Sequence, residues 1–238
     1  MRRLLWVLLM VVSFGFIGER AASAQQSVNL FLGGFTPRSM DARGTDDVIF
    51  ADSAFLTNTS SSGIDINQFN GVTVGGEYVV GLGRFFDAAA GVGFYQRTSS
   101  TVYTSVVDQT TGNDIPQDLK LRIVPITATF RFLPLGRHAG IVPYVGGGVG
   151  FFNWRYSETG SFVDPTTNNI FQGTFAGSGW ATGPVVLGGV QVPLGPIGVG
   201  GEVRWQSAKG DLPADQGFAG TKIDLGGFNY LFVMSFRF

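Results

Sequence analysis

Residues 230–238 read Tyr230-Leu231-Phe232-Val233-Met234-Ser235-Phe236-Arg237-Phe238, and their alternation decides the fold class. Tyr230, Phe232, Met234, Phe236 and Phe238 fall on one face at a period of two, while Asn229, Ser235 and Arg237 fall on the other. Successive side chains of a β-strand point to opposite faces, so this pattern belongs to a strand with two different surroundings. The same period recurs upstream. Val28 to Phe35 alternates, as do Val72-Val74-Gly76-Tyr78-Val80, Phe86-Ala88-Ala90-Val92-Phe94 and Val124-Ile126-Ala128-Phe130-Phe132. Val142-Tyr144 leads into a glycine-rich stretch ending at Phe152, followed by residues 180–192 and by Val199-Gly201-Val203-Trp205. With the last segment these make eight candidate strands, each able to supply the roughly 9–11 residues of a tilted membrane-crossing strand.

The links between them alternate in length. Residues 81–84, 134–140 and 193–196 form short turns, whereas 38–68, 98–118, 157–177 and 207–221 are long and polar. Barrels of the bacterial outer membrane sort their connections this way, with short turns in the periplasm and long loops outside. Within hydrocarbon every backbone N–H and C=O must be paired internally, so a sheet that crosses must close on itself. Eight strands leave an interior that side chains just fill. The expected fold is all-β, an eight-stranded antiparallel transmembrane up-and-down β-barrel with four long extracellular loops and three short periplasmic turns.

Composition agrees. Only 14% of the 238 residues are charged, well below the quarter usual for a soluble domain. The absence of cysteine excludes a disulfide scaffold, a thiolate metal site, a thiol nucleophile and lipid attachment through a cysteine. A net charge of −1 argues against a nucleic-acid partner. Residues 1–24 have the form of a signal peptide: Arg2 and Arg3, an apolar run from Leu4 to Ile17, then Ala22-Ser23-Ala24 as a small-residue cleavage site. The apolar run is short for a membrane helix, which needs about 20 residues. The mature barrel is therefore expected to comprise residues 25–238, exported to the bacterial outer membrane.

The segment Val142-Pro143-Tyr144-Val145-Gly146-Gly147-Gly148-Val149-Gly150-Phe151 resembles the "PYxGxGxG" strand of small outer-membrane β-barrel proteins, the group with OmpA/OmpX- and OmpW-like barrels. Residues 223–238 are similar to the last strand of that group. The resemblance implies that Tyr230, Phe232, Phe236 and Phe238 form a terminal signal read by the barrel-assembly machinery of Gram-negative outer membranes. It implies a fold and an export route, and no activity or cofactor. Unlike full-length OmpA proteins, no peptidoglycan-binding domain is expected after the barrel.

Placing Phe238 on the lipid side sends the opposite face into the lumen. Read in the same way, the strands turn Glu77, Asp87, Arg131, Glu202, Arg204 and Arg237 inward, near their short-turn or C-terminal ends. An unpaired buried charge costs several kcal/mol, so these groups are expected to form a salt-bridged plug in the lower lumen. The alternative is that a strand or two is out of register and some of these charges face the periplasmic interface. Lys120 and Arg122 fall on the lipid-facing register near a loop, where they would meet lipopolysaccharide phosphates or stand solvated. Trp205, Tyr144 and Trp180 are candidates for aromatic girdles, or for ordinary packing.

Asp41, Asp46, Asp47 and Asp52 in the first long loop offer oxygen ligands to a divalent cation, but lack the order and closing glutamate of an EF-hand. Solvated acids are the simpler reading, and no metal site is assigned. Glycines 146–150 lie in a strand with no helix after it, so they are not a dinucleotide fingerprint. The single histidine, His138, lies in a short turn between Arg137 and Ala139 with no evident serine partner, which argues against lipid-hydrolase chemistry. Two non-enzymatic roles remain: a structural or surface-interaction barrel with a charge-plugged lumen, or an OmpW-like channel for a small or hydrophobic solute. Outer-membrane lipid and lipopolysaccharide are the expected surroundings, and the loops carry no motif that names a binding partner.

Overall fold

The computed structural model describes residues 26–58, 63–109, 111–164, 167 and 169–238. The expected signal peptide, residues 1–24, lies outside the described residues. Eight long strands form the wall: β1 (Gln26–Pro37), β2 (Gly71–Leu82), β3 (Phe86–Val107), β4 (Asp114–Phe132), β5 (Val142–Val163), β6 (Ile170–Leu194), β7 (Ile197–Gln206) and β8 (Gly227–Arg237). Each pairs antiparallel with its neighbour in sequence, and β1 also pairs with β8, from Ser27↔Arg237 to Pro37↔Gly227. The sheet is thus a closed up-and-down barrel.

Closure follows from the period-two pattern. Outward positions such as Leu32, Val74, Val92, Phe130, Val145, Val186, Val203 and Phe232 are exposed, while their immediate neighbours are mostly buried. The inward set holds polar groups that find partners in the lumen. The exposed apolar side chains form a belt from the level of Phe86, Phe132 and Leu194 up to Phe94, Phe151 and Trp180. The belt lies between Phe132 and the first outward charge on that strand, Arg122, an interval of ten residue rises that spans roughly 25 Å along the axis at an ordinary strand tilt. Aromatic contacts mark the lower rim, where Phe86 lies against Phe130 and Phe132 with ring centroids 5.3 and 5.5 Å apart. The tight turns there are set by Gly83 and Gly195, whose φ angles of 76° and 73° suit residues without a Cβ.

Two expected long loops are largely strand. The β3–β4 ladder continues to Val107↔Asp114 and the β5–β6 ladder to Val163↔Ile170, so 98–118 and 157–177 are tall hairpins with short tips. Their outward residues alternate with buried inward ones such as Thr101, Ile115, Gln117 and Glu158, and because most of these are polar too, overall polarity concealed the pattern. The wall is consequently high over β3–β6 and low over β7, β8, β1 and β2.

The remaining two loops fill the mouth. Residues 38–70 contain α1 (Val48–Asp52) and two 3₁₀ turns, Met40–Ala42 and Ile66–Phe69. Residues 207–226 contain the ribbon formed by Lys209–Asp211 and Lys222–Asp224. The Asp47 side chain caps α1 by accepting from the Phe50 N–H at 3.1 Å. Val48, Ile49 and Phe69 from the first loop and Ile223 and Leu225 from the last pack on inward wall residues including Phe35, Tyr95, Ile123, Phe152, Trp154 and Tyr156. This buried cluster is the largest in the molecule among the described residues, and it sits inside the barrel.

Candidate functional site

The lower lumen is crossed by a ring of four charges. Arg131 Nη2 lies 2.5 Å from Glu77 Oε1 and 3.4 Å from Glu202 Oε2. Arg204 Nη2 lies 3.1 Å from Glu77 Oε2 and 2.6 Å from Glu202 Oε1. Acids and bases therefore alternate around a square of zero net charge. β2, β4 and β7 supply these side chains from well-separated parts of the wall, and all four are buried. Neutral partners complete the set: Asn29 donates to Glu77 at 2.9 Å, and the Tyr144 hydroxyl donates to Glu202 at 3.0 Å. The guanidinium groups also stand over aromatic rings, Arg131 over Tyr144 at 5.1 Å and Arg204 over Phe31 at 5.3 Å.

The other two expected lumen charges stay out of the ring. Asp87 and Arg237 line a cleft of about 40 Å³ at the short-turn end, which closes against Arg131 and Tyr144. Asp87 pairs with Arg137, and Arg137 also donates to the Phe86 carbonyl. Arg137 belongs to a turn, where strand alternation assigns no side, so no sequence signal pointed to it. Asn29 was detectable, because it lies on the inward register of β1 opposite Glu77. Tyr144 corrects an expectation: it is no girdle residue but a lumen residue, 4% exposed, bound to Glu202. Trp180, by contrast, is 64% exposed on the belt.

Above the ring lies the apolar cluster, held down by a second polar network between the two mouth loops. Arg43 donates to Asp47 at 2.8 Å and to the Arg38 carbonyl, while Arg38 pairs with Asp224 at 3.0 Å. Asp47 in turn accepts from the Asp224 N–H at 2.6 Å. Of the four first-loop aspartates, Asp47 and Asp52 are buried, so they are not solvated acids, and Asp46 faces Lys209 at 3.4 Å. No cluster of three or more metal-ligating side chains occurs among the described residues. Asp52 approaches the wall instead, where the Tyr156 hydroxyl donates to it at 3.2 Å. Burial and the neighbouring Glu158 push its carboxyl up to about 8, and burial raises Glu158 to about 7. Both groups lie beyond the belt, past the Arg122 level on the side away from the short turns.

Lys120 and Arg122 face outward from β4 just above the belt. Arg155 of β5 stands directly across the ladder from Arg122. His138 is exposed in its turn. Tyr230, Phe232, Phe236 and Phe238 occupy the outer face of β8, and Phe238 is 70% exposed.

Fold and site together define a small closed β-barrel whose interior is filled at two levels, by a charge ring below and by loop-borne apolar side chains above. No protein-family model matches the chain, and no curated protein matches it in sequence. Among solved structures it is similar to Neisserial surface protein A, at 12% identity and a TM-score of 0.45, over 92% of this chain and 100% of that one. It is similar also to the N-terminal β-barrel domain of Pseudomonas aeruginosa OprF, at 11% identity and 0.43, covering 90% and 98%. A major outer membrane protein from Thermus thermophilus follows at 12% and 0.42, covering 91% and 100%.

Proposed function

We propose that the chain is a non-enzymatic outer-membrane barrel with a sealed lumen, serving a structural and surface-interaction role. The observation that carries this is the double closure. A solute entering from the short turns meets the Glu77–Arg131–Glu202–Arg204 ring. One entering from outside meets Phe152, Trp154 and Tyr156 beneath the docked α1. Hydrating the ring would mean separating buried charges, and hydrating the cluster would mean exposing its largest side chains. Both oppose a standing water column.

The belt supports a membrane setting, since an apolar band of this height around a closed barrel matches a bilayer core. Outward-facing Tyr230, Phe232, Phe236 and Phe238 support recognition of β8 by the barrel-assembly machinery. The tall β3–β6 wall would then stand clear of the membrane as the element offered to surface partners. The exposed position of His138, at the end opposite the tall wall, supports the non-enzymatic reading.

Single-channel recording of the refolded chain in a planar bilayer tests this, with a heat-modifiability gel shift to establish folding. Folded protein without steady conductance is the expected result. Stable openings that a small or hydrophobic solute blocks would replace the sealed-lumen reading with OmpW-like transport.

A further inference from the structure

We infer that the outer face of β4 and β5 carries a lateral binding site for the phosphate of an outer-leaflet glycolipid headgroup, centred on Arg122 and Arg155. The inference rests on the membrane setting proposed above and names a partner for that surface.

Arg122 and Arg155 are register partners on adjacent strands, and both point outward. Like charges directly opposite in a ladder are destabilising unless something neutralises them. Lys120, two residues along β4, adds a third cation on the same face. None of the three forms an ion pair among the described residues. The Nε of Arg122 is shielded from solvent and has no hydrogen-bond partner. The nearby outward acid, Asp118, accepts from the Ser100 hydroxyl at 2.6 Å. A shielded guanidinium donor beside uncompensated cations is an arrangement that an anion completes.

The surroundings favour phosphate. A cleft of about 450 Å³ is lined by Lys120, Arg122, Arg155, Ser157, Thr159 and Gln96, so hydroxyl and amide donors flank the cations. Arginine forks match phosphate oxygens in pairs, and charge-assisted bonds of this kind are the strong ones. Location supplies the lipid. Immediately below on the same strands, Ile126 and Phe151 belong to the apolar belt. A headgroup phosphate in the cleft would therefore leave its acyl chains on hydrocarbon-facing wall.

The test uses the refolded full-length mature chain in detergent micelles and in phosphatidylcholine vesicles. Native mass spectrometry reads the retention of lipid A, of its dephosphorylated form, and of phosphatidylcholine. Retention of lipid A about tenfold above the other two is expected, and Arg122→Gln with Arg155→Gln should abolish that preference. Arg155→Gln alone should weaken it, and all variants should keep the heat-modifiability shift. Equal retention of phosphorylated and dephosphorylated lipid overturns the site, as does an unaffected double variant. Inorganic phosphate displacing lipid A at comparable concentration also overturns it, in favour of a free-anion site. Folded protein that inserts yet shows no preference sinks this site only, whereas failure of the wild-type chain to insert sinks the membrane reading itself.

Discussion

Arg204 on β7 reaches across the lumen to Glu77 on β2, where its Nη2 lies 3.1 Å from Oε2. These residues are 127 positions apart in sequence, and no local structure holds them together. The contact exists because the barrel closes, so it reports on closure directly.

Removing one acid from the ring should be costly. Glu77→Gln leaves Arg131 and Arg204 to share Glu202 in a buried space, and breaking a buried pair in this way typically costs about 3–5 kcal/mol. Urea unfolding of the refolded barrel in micelles should show a lower midpoint with an unchanged slope. A midpoint equal to that of the wild type would mean that the ring is solvated or already open.

The apolar cluster should matter independently. Trp154 is 1% exposed, and Trp154→Ala should cost about 3–5 kcal/mol through the cavity it leaves. Because the charge ring remains below, the variant should still be silent in planar bilayers. Steady conductance from it would show that the upper cluster alone seals the tube.

Gly220 packs its backbone against Val48 at the start of α1. A Cβ added at this glycine would lie 2.5 Å from both the Val48 Cα and the Val48 backbone nitrogen. Gly220→Ala should therefore lift the last loop from the first and expose residues 44–52 to protease, with the wall intact. Unchanged digestion kinetics would argue against tight docking of the two loops.

Docking of the first loop should also depend on pH. Asp52 and Glu158 have folded-state values raised to about 8 and about 7, chiefly by burial, from ordinary values of 3.8 and 4.5. An acid raised in this way keeps its proton in the docked loop where the released loop has lost it, so docking weakens with rising pH. The loss should accumulate between about pH 4 and pH 8 and then level off. Hydrogen-exchange protection factors at residues 48–53, which divide out the base-catalysed intrinsic rate, should be lower at about pH 9 than at about pH 6, and Asp52→Asn should flatten the difference. Equal protection at both values would show that the two carboxyls do not share a buried space.

Much of the wall was legible because a strand advertises its environment at every second residue. The apolar runs on β2, β3, β4 and β8 marked the exterior, and the same register placed Glu77, Arg131, Glu202 and Arg204 on the inner face. Asn29 obeyed that rule too. Tyr144 was harder, since an aromatic at the end of a glycine-rich strand suits either a rim or a lumen. Only the register with Glu202 two strands away distinguishes them. The tall hairpins were hidden because polar side chains stand on both their faces, with Thr101, Gln117 and Glu158 buried inward, so neither mean hydropathy nor apolar alternation marks them as strand.

The sequence by itself determined that these strands alternate, how many there are, which ends are short, and which charges turn inward. Those are properties of one strand and its immediate surroundings. Tertiary structure alone decided that four of the six inward charges form a ring while Asp87 turns to Arg137. It likewise decided that Arg155 stands beside Arg122, and that Val48 and Ile49 leave a polar loop to fill the mouth. Each depends on the stagger between strands or on the space left at an uneven rim. Stagger and rim height are fixed only when β1 meets β8 and the sheet becomes a barrel.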